Sequence, residues 1–381
     1  MSEDVYVLGV DMIKFGRFPH RTIDGLGAEA ALLALDDAGL GIRDMQALYL
    51  GNVGHVTQFV GQKILQQIGQ TGIPVVNCTN ACASGATAFR EAYLAVKSGE
   101  FDLVLAVGVE QMGKGLLGNA GGGDDGIPRE GLLGSRLMPA LFAEVGMEHS
   151  RKYGTKPEHF AKVSVKNHHH STLNPKAMYQ IETPLEEVMG AEMIAYPNTK
   201  LMCSVNVDGS AAAVIASAKK TRELGMGRAV RVRASALTSD RFTQRDLTLP
   251  DFNTCTRDAA RIAYEKAGIG PQDINLVELH DCFATAEIVH YENLGLCGEG
   301  EAGAFIDSGA TWLGGKVPVN VSGGLLSKGH PLGATGIANI YEVATHLRGE
   351  AGARQVEGAR LGLTHVLGLG QACAVHVLEK V

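Results

Sequence analysis

Four side chains combine reactive chemistry with a defined local setting: Cys82, His280, Cys282 and His330. Cys82 follows the short apolar run Pro74 to Asn77 and leads into a helical stretch, Ala86 to Lys97. A thiol at a helix N-terminus is expected to have a lowered pKa, because the unpaired N–H groups there favour a thiolate. The next residues, Ser84-Gly85, would let backbone N–H groups come close to an oxyanion. His330 lies within Gly323-Gly324-Leu325-Leu326-Ser327-Lys328-Gly329-His330-Pro331-Leu332-Gly333, where glycines and a proline hold the imidazole at a fixed turn. His280-Asp281-Cys282-Phe283 ends a second apolar run, Asn275 to Leu279, and opens a helical stretch, Ala284 to Tyr291. Thiol and imidazole together make an activated nucleophile and its base; the second histidine and cysteine could supply an oxyanion donor and a proton carrier. Taken singly, each has a blander reading, since buried cysteines mostly pack and loop histidines mostly support structure.

What lifts Cys82 and His330 above that reading is an internal repeat. Ala38-Gly39-Leu40-Gly41-Ile42-Arg43-Asp44 returns as Ala267-Gly268-Ile269-Gly270-Pro271-Gln272-Asp273. Each copy follows an alanine-rich helical stretch, Ala28 to Asp37 and Ala259 to Lys266, and the shared glycine is expected to end each helix in the left-handed conformation. Cys82-Ala83-Ser84-Gly85-Ala86-Thr87 likewise matches His330-Pro331-Leu332-Gly333-Ala334-Thr335. Each copy follows a short strand opened by proline (Pro74 to Asn77, Pro318 to Val321) and precedes a helix and an apolar strand, Leu103 to Val109 or Leu361 to Leu367. Strand–helix alternation repeated in this way predicts two α/β units related by duplication. Residues opening the equivalent helices would face each other across the interface, bringing the Cys82 thiol to the His330 imidazole.

The expected organisation is an N-terminal half over 1–114, completed by about 201–250, a loop or lid segment over 115–200, and a C-terminal half over 251–381. Gly113 to Gly134 is glycine-rich and aperiodic, and residues from about 135 to 200 read as amphipathic helices broken by Pro157, Pro175, Pro184 and Pro197. Val205 to Gly209 and the apolar run after it read as a return to the first unit.

A net charge of −7 with scattered Lys and Arg gives no basic stripe for nucleic acid. No apolar run nears the ~18 residues of a membrane span. The first residues, Met1-Ser2-Glu3-Asp4, lack a signal-peptide pattern, and the last, Leu378 to Val381, lack a Ser-Lys-Leu type address. Seven scattered cysteines argue for reduced thiols rather than a disulfide framework, so a cytoplasmic location is expected. No cysteine or histidine spacing suits zinc, and no bound metal is expected. His168-His169-His170, beside Lys162, Lys166 and Asn167, reads as a solvated helix face.

With these residues in hand, the run from Asn320 through Gly336, containing Gly-His-Pro-Leu-Gly-Ala-Thr-Gly, resembles the signature of the thiolase superfamily. His280-Asp281-Cys282-Phe283 resembles the subgroup related to sterol carrier protein 2, the SCP2-type thiolases, and the likeness extends over essentially the whole chain. The resemblance implies a duplicated, five-layered α/β/α/β/α fold with an inserted loop domain. It implies that Cys82 attacks the 3-keto carbon of a 3-oxoacyl-CoA, that His330 takes the thiol proton, and that His280 helps form the enolate oxyanion hole. Backbone N–H groups of Cys82 and Gly368 would form a second hole. Many thiolases carry their acid/base cysteine in a Cys-x-Gly motif, where this chain has Val366-Leu367-Gly368; in the SCP2-type pattern that role passes to Cys282. Cys373, seven positions beyond Val366, is expected to face away and pack. Acyl-CoA and coenzyme A are implied as substrates without a permanently bound cofactor, in a homodimer or homotetramer, with a small zinc-containing partner subunit as a related option. Two rivals are weighed: a thiolase-like retro-aldol lyase acting on steroid side-chain CoA esters, whose members tend to lack the nucleophilic cysteine, and a non-catalytic lipid-carrier or assembly subunit.

Overall fold

A computed structural model describes residues 4–113, 138–225, 227–244, 251–369 and 371–381. The first half contributes β1 (Val5–Met12), α1 (Ile23–Asp37), β2 (Leu48–Gly51), α2 (Val60–Ile68), β3 (Val75–Cys78), α3 (Ser84–Lys97) and β4 (Leu103–Glu110). The intervening segment forms α4 (Met138–Tyr153), α5 (Pro157–Thr172), α6 (Leu185–Gly190) and the small hairpin β5 (Met193–Ala195) and β6 (Asn198–Thr199). Then follow β7 (Gly209–Ser217), α7 (Ala218–Leu224), β8 (Val230–Ser239), α8 (Asn253–Ala267), β9 (Leu276–Glu278), α9 (Ala284–Asn293), α10 (Ala302–Asp307), α11 (Thr335–Arg348), β10 (Leu361–Gly368) and β11 (Ala372–Lys380).

Local chemistry sets the boundaries. The Thr22 side chain accepts from the Gly25 N–H to start α1, and the chain leaves through Gly39 at φ 63°. Gly268 ends α8 at φ 64°, so the repeated glycine does in both copies what the repeat predicts. Pro157 occupies the first turn of α5, where its missing N–H costs no hydrogen bond. Strands β4 and β7 are buried at every position, as strands covered on both faces must be.

The strands form one sheet in the order β3-β2-β4-β7-β1-β8-β11-β10-β9. Its two halves repeat one pattern: β2 runs parallel to β3 and β4, while β7 lies antiparallel to β4 and β1. Correspondingly, β9 runs parallel to β10, and β11 lies antiparallel to β10 and β8. The segment around Val319 takes the place of β3, reduced to a single parallel bridge with Val277. Within the sheet, the described strands of the two halves pair at Tyr6 with Arg231 and Val7 with Val230. β8 pairs with β11 from Val230 to Ser239 and meets β1 at those two residue pairs.

Helices α3 and α11 lie between the halves, α1 and α2 cover the outer face of one, and α8 and α9 that of the other. The order is the five-layered α/β/α/β/α arrangement of a duplicated thiolase fold. The central helices cross at backbone contact. A Cβ on Gly336 would stand 2.2 Å from the Ala86 nitrogen, and one on Gly85 would stand 2.4 Å from the Gly333 oxygen. Only glycine permits so close an approach. Residues 114 to 134 of the glycine-rich run lie outside the described residues.

Candidate active site

Cys82 sits on a tight turn between β3 and α3. Ala81, just before it, is held at φ 48°, and the Ser84 hydroxyl donates to the Ala81 carbonyl (2.6 Å) while accepting from the Asn80 N–H (2.8 Å). A non-glycine residue in the left-handed region is strained, and such strain collects where a side chain must be aimed. Asn320 (φ 55°) and Leu369 (φ 53°) repeat the pattern on the opposite half. The Cys82 side chain packs with Met112, Leu332 and Val366 and is 7% exposed.

His330 and His280 converge on this thiol from the second half. One ligating atom of each of Cys82, His280 and His330 lies within 4.8 Å of the others. The two rings meet edge-on, with centroids 5.1 Å apart. The His330 tautomer follows from its neighbours. The Thr335 hydroxyl donates to the Pro331 carbonyl (3.0 Å), so at 2.8 Å it accepts from His330 Nδ1–H. Nε2 is left with its lone pair and has no partner among the described residues. The Thr335 contact thus prepares His330 as a base. Both ring nitrogens of His280 are buried and likewise without a partner among the described residues, so one N–H can meet a substrate oxygen.

Burial controls the electrostatics. It pushes the Cys82 thiol up to about 12, outweighing the contributions of its own N–H and the Leu369 N–H, with Glu110 adding to the rise. This reverses the expectation from the helix terminus: α3 begins at Ser84, two residues late, and desolvation wins. Burial lowers His330 to about 3, with Lys328 contributing, and holds His280 well below the usual histidine value, with His330 next. Both imidazoles are neutral near pH 7, so His280 can donate to an enolate oxygen without a positive charge. Burial, then the neighbouring Cys82, raises Cys282 well above an ordinary thiol; it rests as S–H, a proton donor.

Gly368 stands beside the cysteine turn. A Cβ there would lie 2.3 Å from the Asn80 oxygen, so no other residue fits between β10 and the cysteine turn. The amides that act on the thiol are those of Cys82 itself and of Leu369. Val366 lines the Cys82 pocket, where many thiolases place a cysteine. Cys373 packs in a separate core near Thr256, but not for the reason of strand alternation: the chain reverses after Gly368, and Cys373 pairs with Leu367 on β11.

One expectation fails outright. Lys166, Asn167, His168 and His170 are buried, not a solvated face, while Lys162 and His169 are partly exposed. Charge at the sequence level was the wrong signal here, because each buried polar group has a partner elsewhere in the chain: Lys166 and Asn167 both bond to Glu287. Sequence reasoning also missed Thr335, Leu369 and Glu287, whose roles depend on residues far apart in the chain.

Comparisons with known proteins agree with this geometry. The model of the thiolase N-terminal domain matches residues 5–188, and that of the thiolase C-terminal domain-like family matches residues 234–380. The chain belongs to the thiolase family, and its enzyme class is acyltransferase. Among its relatives is human "Sterol carrier protein 2", 41% identical over 388 residues, covering 97% of this chain and 71% of the relative. "Acetyl-CoA acetyltransferase" of Methanothermobacter thermautotrophicus is 39% identical over 393 residues, covering 99% and 100%. A solved structure, "Ltp2-ChsH2(DUF35) aldolase", superposes with a TM-score of 0.86 at 24% identity, over 99% of this chain and 98% of that one. No described helix is long and apolar enough to cross a membrane.

Proposed function

We propose that this protein cleaves a 3-oxoacyl-CoA with coenzyme A to acyl-CoA and acetyl-CoA, or runs the condensation in reverse. A 2-methyl-branched substrate would release propionyl-CoA instead. The observation that carries the reading is the convergence of Cys82, His280 and His330 from the two halves onto one buried point.

The Cys82 proton passes to His330 Nε2 as sulfur attacks the 3-keto carbon. Burial disfavours either charge alone, so the thiolate and imidazolium arise together as a compensating pair. The Cys82 N–H and the amides near Gly368 face the tetrahedral oxygen. Cleavage of the C2–C3 bond leaves an acyl group on Cys82 and an enolate whose oxygen accepts from His280 and His330. Cys282 gives its proton to the enolate carbon, releasing acetyl-CoA. The Cys282 thiolate then takes the proton of incoming coenzyme A, whose sulfur attacks the acyl-enzyme and releases the Cys82 thiolate, which recovers its proton from His330. Coenzyme A and acyl-CoA are substrates in this scheme, with no resident cofactor. A homodimer or homotetramer, with or without a small zinc-containing partner, is the assembly we infer.

The test is thiolysis of an acetoacetyl to long-chain 3-oxoacyl-CoA series by purified protein beside Cys82→Ala. Turnover should fall at least about 1,000-fold in the variant. Absence of turnover by the unaltered protein on every chain length would reject the proposal and direct the search to retro-aldol substrates.

A further inference from the structure

Three of the four catalytic side chains share one buried support. Asp281 stands between His280 and Cys282. Its carboxylate accepts from the Leu325 N–H (2.8 Å), the Leu326 N–H (3.3 Å) and Asn167 Nδ2 (2.7 Å). Leu325 and Leu326 belong to the turn Gly324–Lys328, immediately before His330. Asn167 Nδ2 also donates to Glu287 (2.9 Å), which accepts from Lys166 (2.5 Å) and Asn320 Nδ2 (2.7 Å). Asn320 closes the circuit: its Oδ1 accepts from the Leu279 N–H (2.9 Å), one residue before His280. Lys166, Asn167, Asp281, Glu287 and Asn320 are all fully buried. Lys166 and Asn167 come from α5, in the segment between the two repeats; the others belong to the second half.

We propose that Asn167 and Lys166, on α5, are positioning residues for the reaction: through Glu287 and Asp281 they fix His280, Cys282 and the turn carrying His330 in one geometry. Two carboxylates lie close together in the buried interior, and the Asn167 amide bridges them. Without it, Asp281 loses a donor and keeps the repulsion of Glu287, which Lys166 and the remaining N–H and hydroxyl donors must offset. A segment outside the duplicated halves is thereby tied to catalysis without touching substrate. This inference rests on the thiolase reaction proposed above.

Asn167→Ala is the direct test, read on the full chain with 3-oxoacyl-CoA and coenzyme A. The expected result is a kcat lower by about 100-fold, the loss typical of an ångström-scale misplacement, with KM for the acyl-CoA within twofold. The pH profile gives a readout that plain destabilisation would not move. The groups facing Asp281 are Lys166 and Asn167 from α5, Glu287 and Tyr291 from α9, the neighbouring Cys282 and the amides of the turn. Burial, then Glu287, raises Asp281 to about 8, so activity needing its carboxylate form falls as pH drops through that region. Removing the Asn167 donor moves this acid limb to higher pH. His149→Ala is the control, because it cuts the buried contact of His149 to Glu292 (2.9 Å), joining α4 to the far end of α9. It should lower Tm comparably and leave kcat within twofold. Equal kcat losses in both variants, or an unmoved acid limb in Asn167→Ala, would overturn the proposal. Amide exchange over residues 323–330 keeps it separate from the thiolase reading. If the unaltered protein has no thiolysis activity, that reading fails on its own; faster exchange in Asn167→Ala but not in His149→Ala then still supports the positioning role, and no difference rejects it.

Discussion

The nucleophile and base in this site are both neutral at rest. Burial holds the Cys82 thiol near 12 and the His330 imidazole near 3, so neither changes charge across the neutral range in the ligand-free protein. Alkylation of Cys82 by iodoacetamide, followed by mass spectrometry, should therefore rise about tenfold per pH unit from pH 6 to 9, without a plateau. A plateau with a midpoint near 7 would instead reveal a standing thiolate–imidazolium pair. Cys82 and His330 were selected in the sequence by their types and their equivalent places in the repeat. Their protonation was not. The helix terminus near Cys82 is visible along the chain, whereas the apolar wall formed by Met112, Leu332 and Val366 comes from three distant segments.

At the scale of elements, the crossing of α3 and α11 joins the two halves of the site. Cys82 precedes one helix and His330 the other, so their separation follows the helix spacing. Gly336→Ala would place a methyl 2.2 Å from backbone that has no rotamer to yield. Such overpacking should cost about 3 kcal/mol in urea denaturation and should slow thiolysis in the folded fraction by moving His330 away. A stability change below ~1 kcal/mol would mean that the helices can part freely. The repeat made both helices and their glycines readable, including the left-handed exits at Gly39 and Gly268. By contrast, α5 was misread, because its Lys and His residues carry the signature of a solvated face, and the partners of Lys166, Asn167 and His170 lie more than 100 positions away.

For the whole molecule, an unusual number of histidines is locked away from water. Burial depresses His170, His290, His330 and His376 to about 3 and His280 and His365 well below the usual value. In the unfolded chain each binds a proton near pH 6.5. Below that pH the unfolded state takes up protons that the folded state refuses. Stability is full above about 6.5 and is lost as pH falls from there toward 3. Scanning calorimetry should find Tm at pH 5 more than about 5 °C below that at pH 7.5, even though Asp281, which burial and then Glu287 raise to about 8, offsets part of the loss over this interval. An unchanged Tm would mean that these rings are hydrated or paired. The amino-acid sequence by itself determined the duplication, the elements and the candidate thiol and imidazoles, because repeats, periodicity and glycine punctuation act over short stretches of chain. Only the tertiary structure decided which strand joins which half, how burial sets each proton, and which distant polar groups hold the catalytic turns. Those properties belong to surroundings assembled from both halves, and no segment carries them alone.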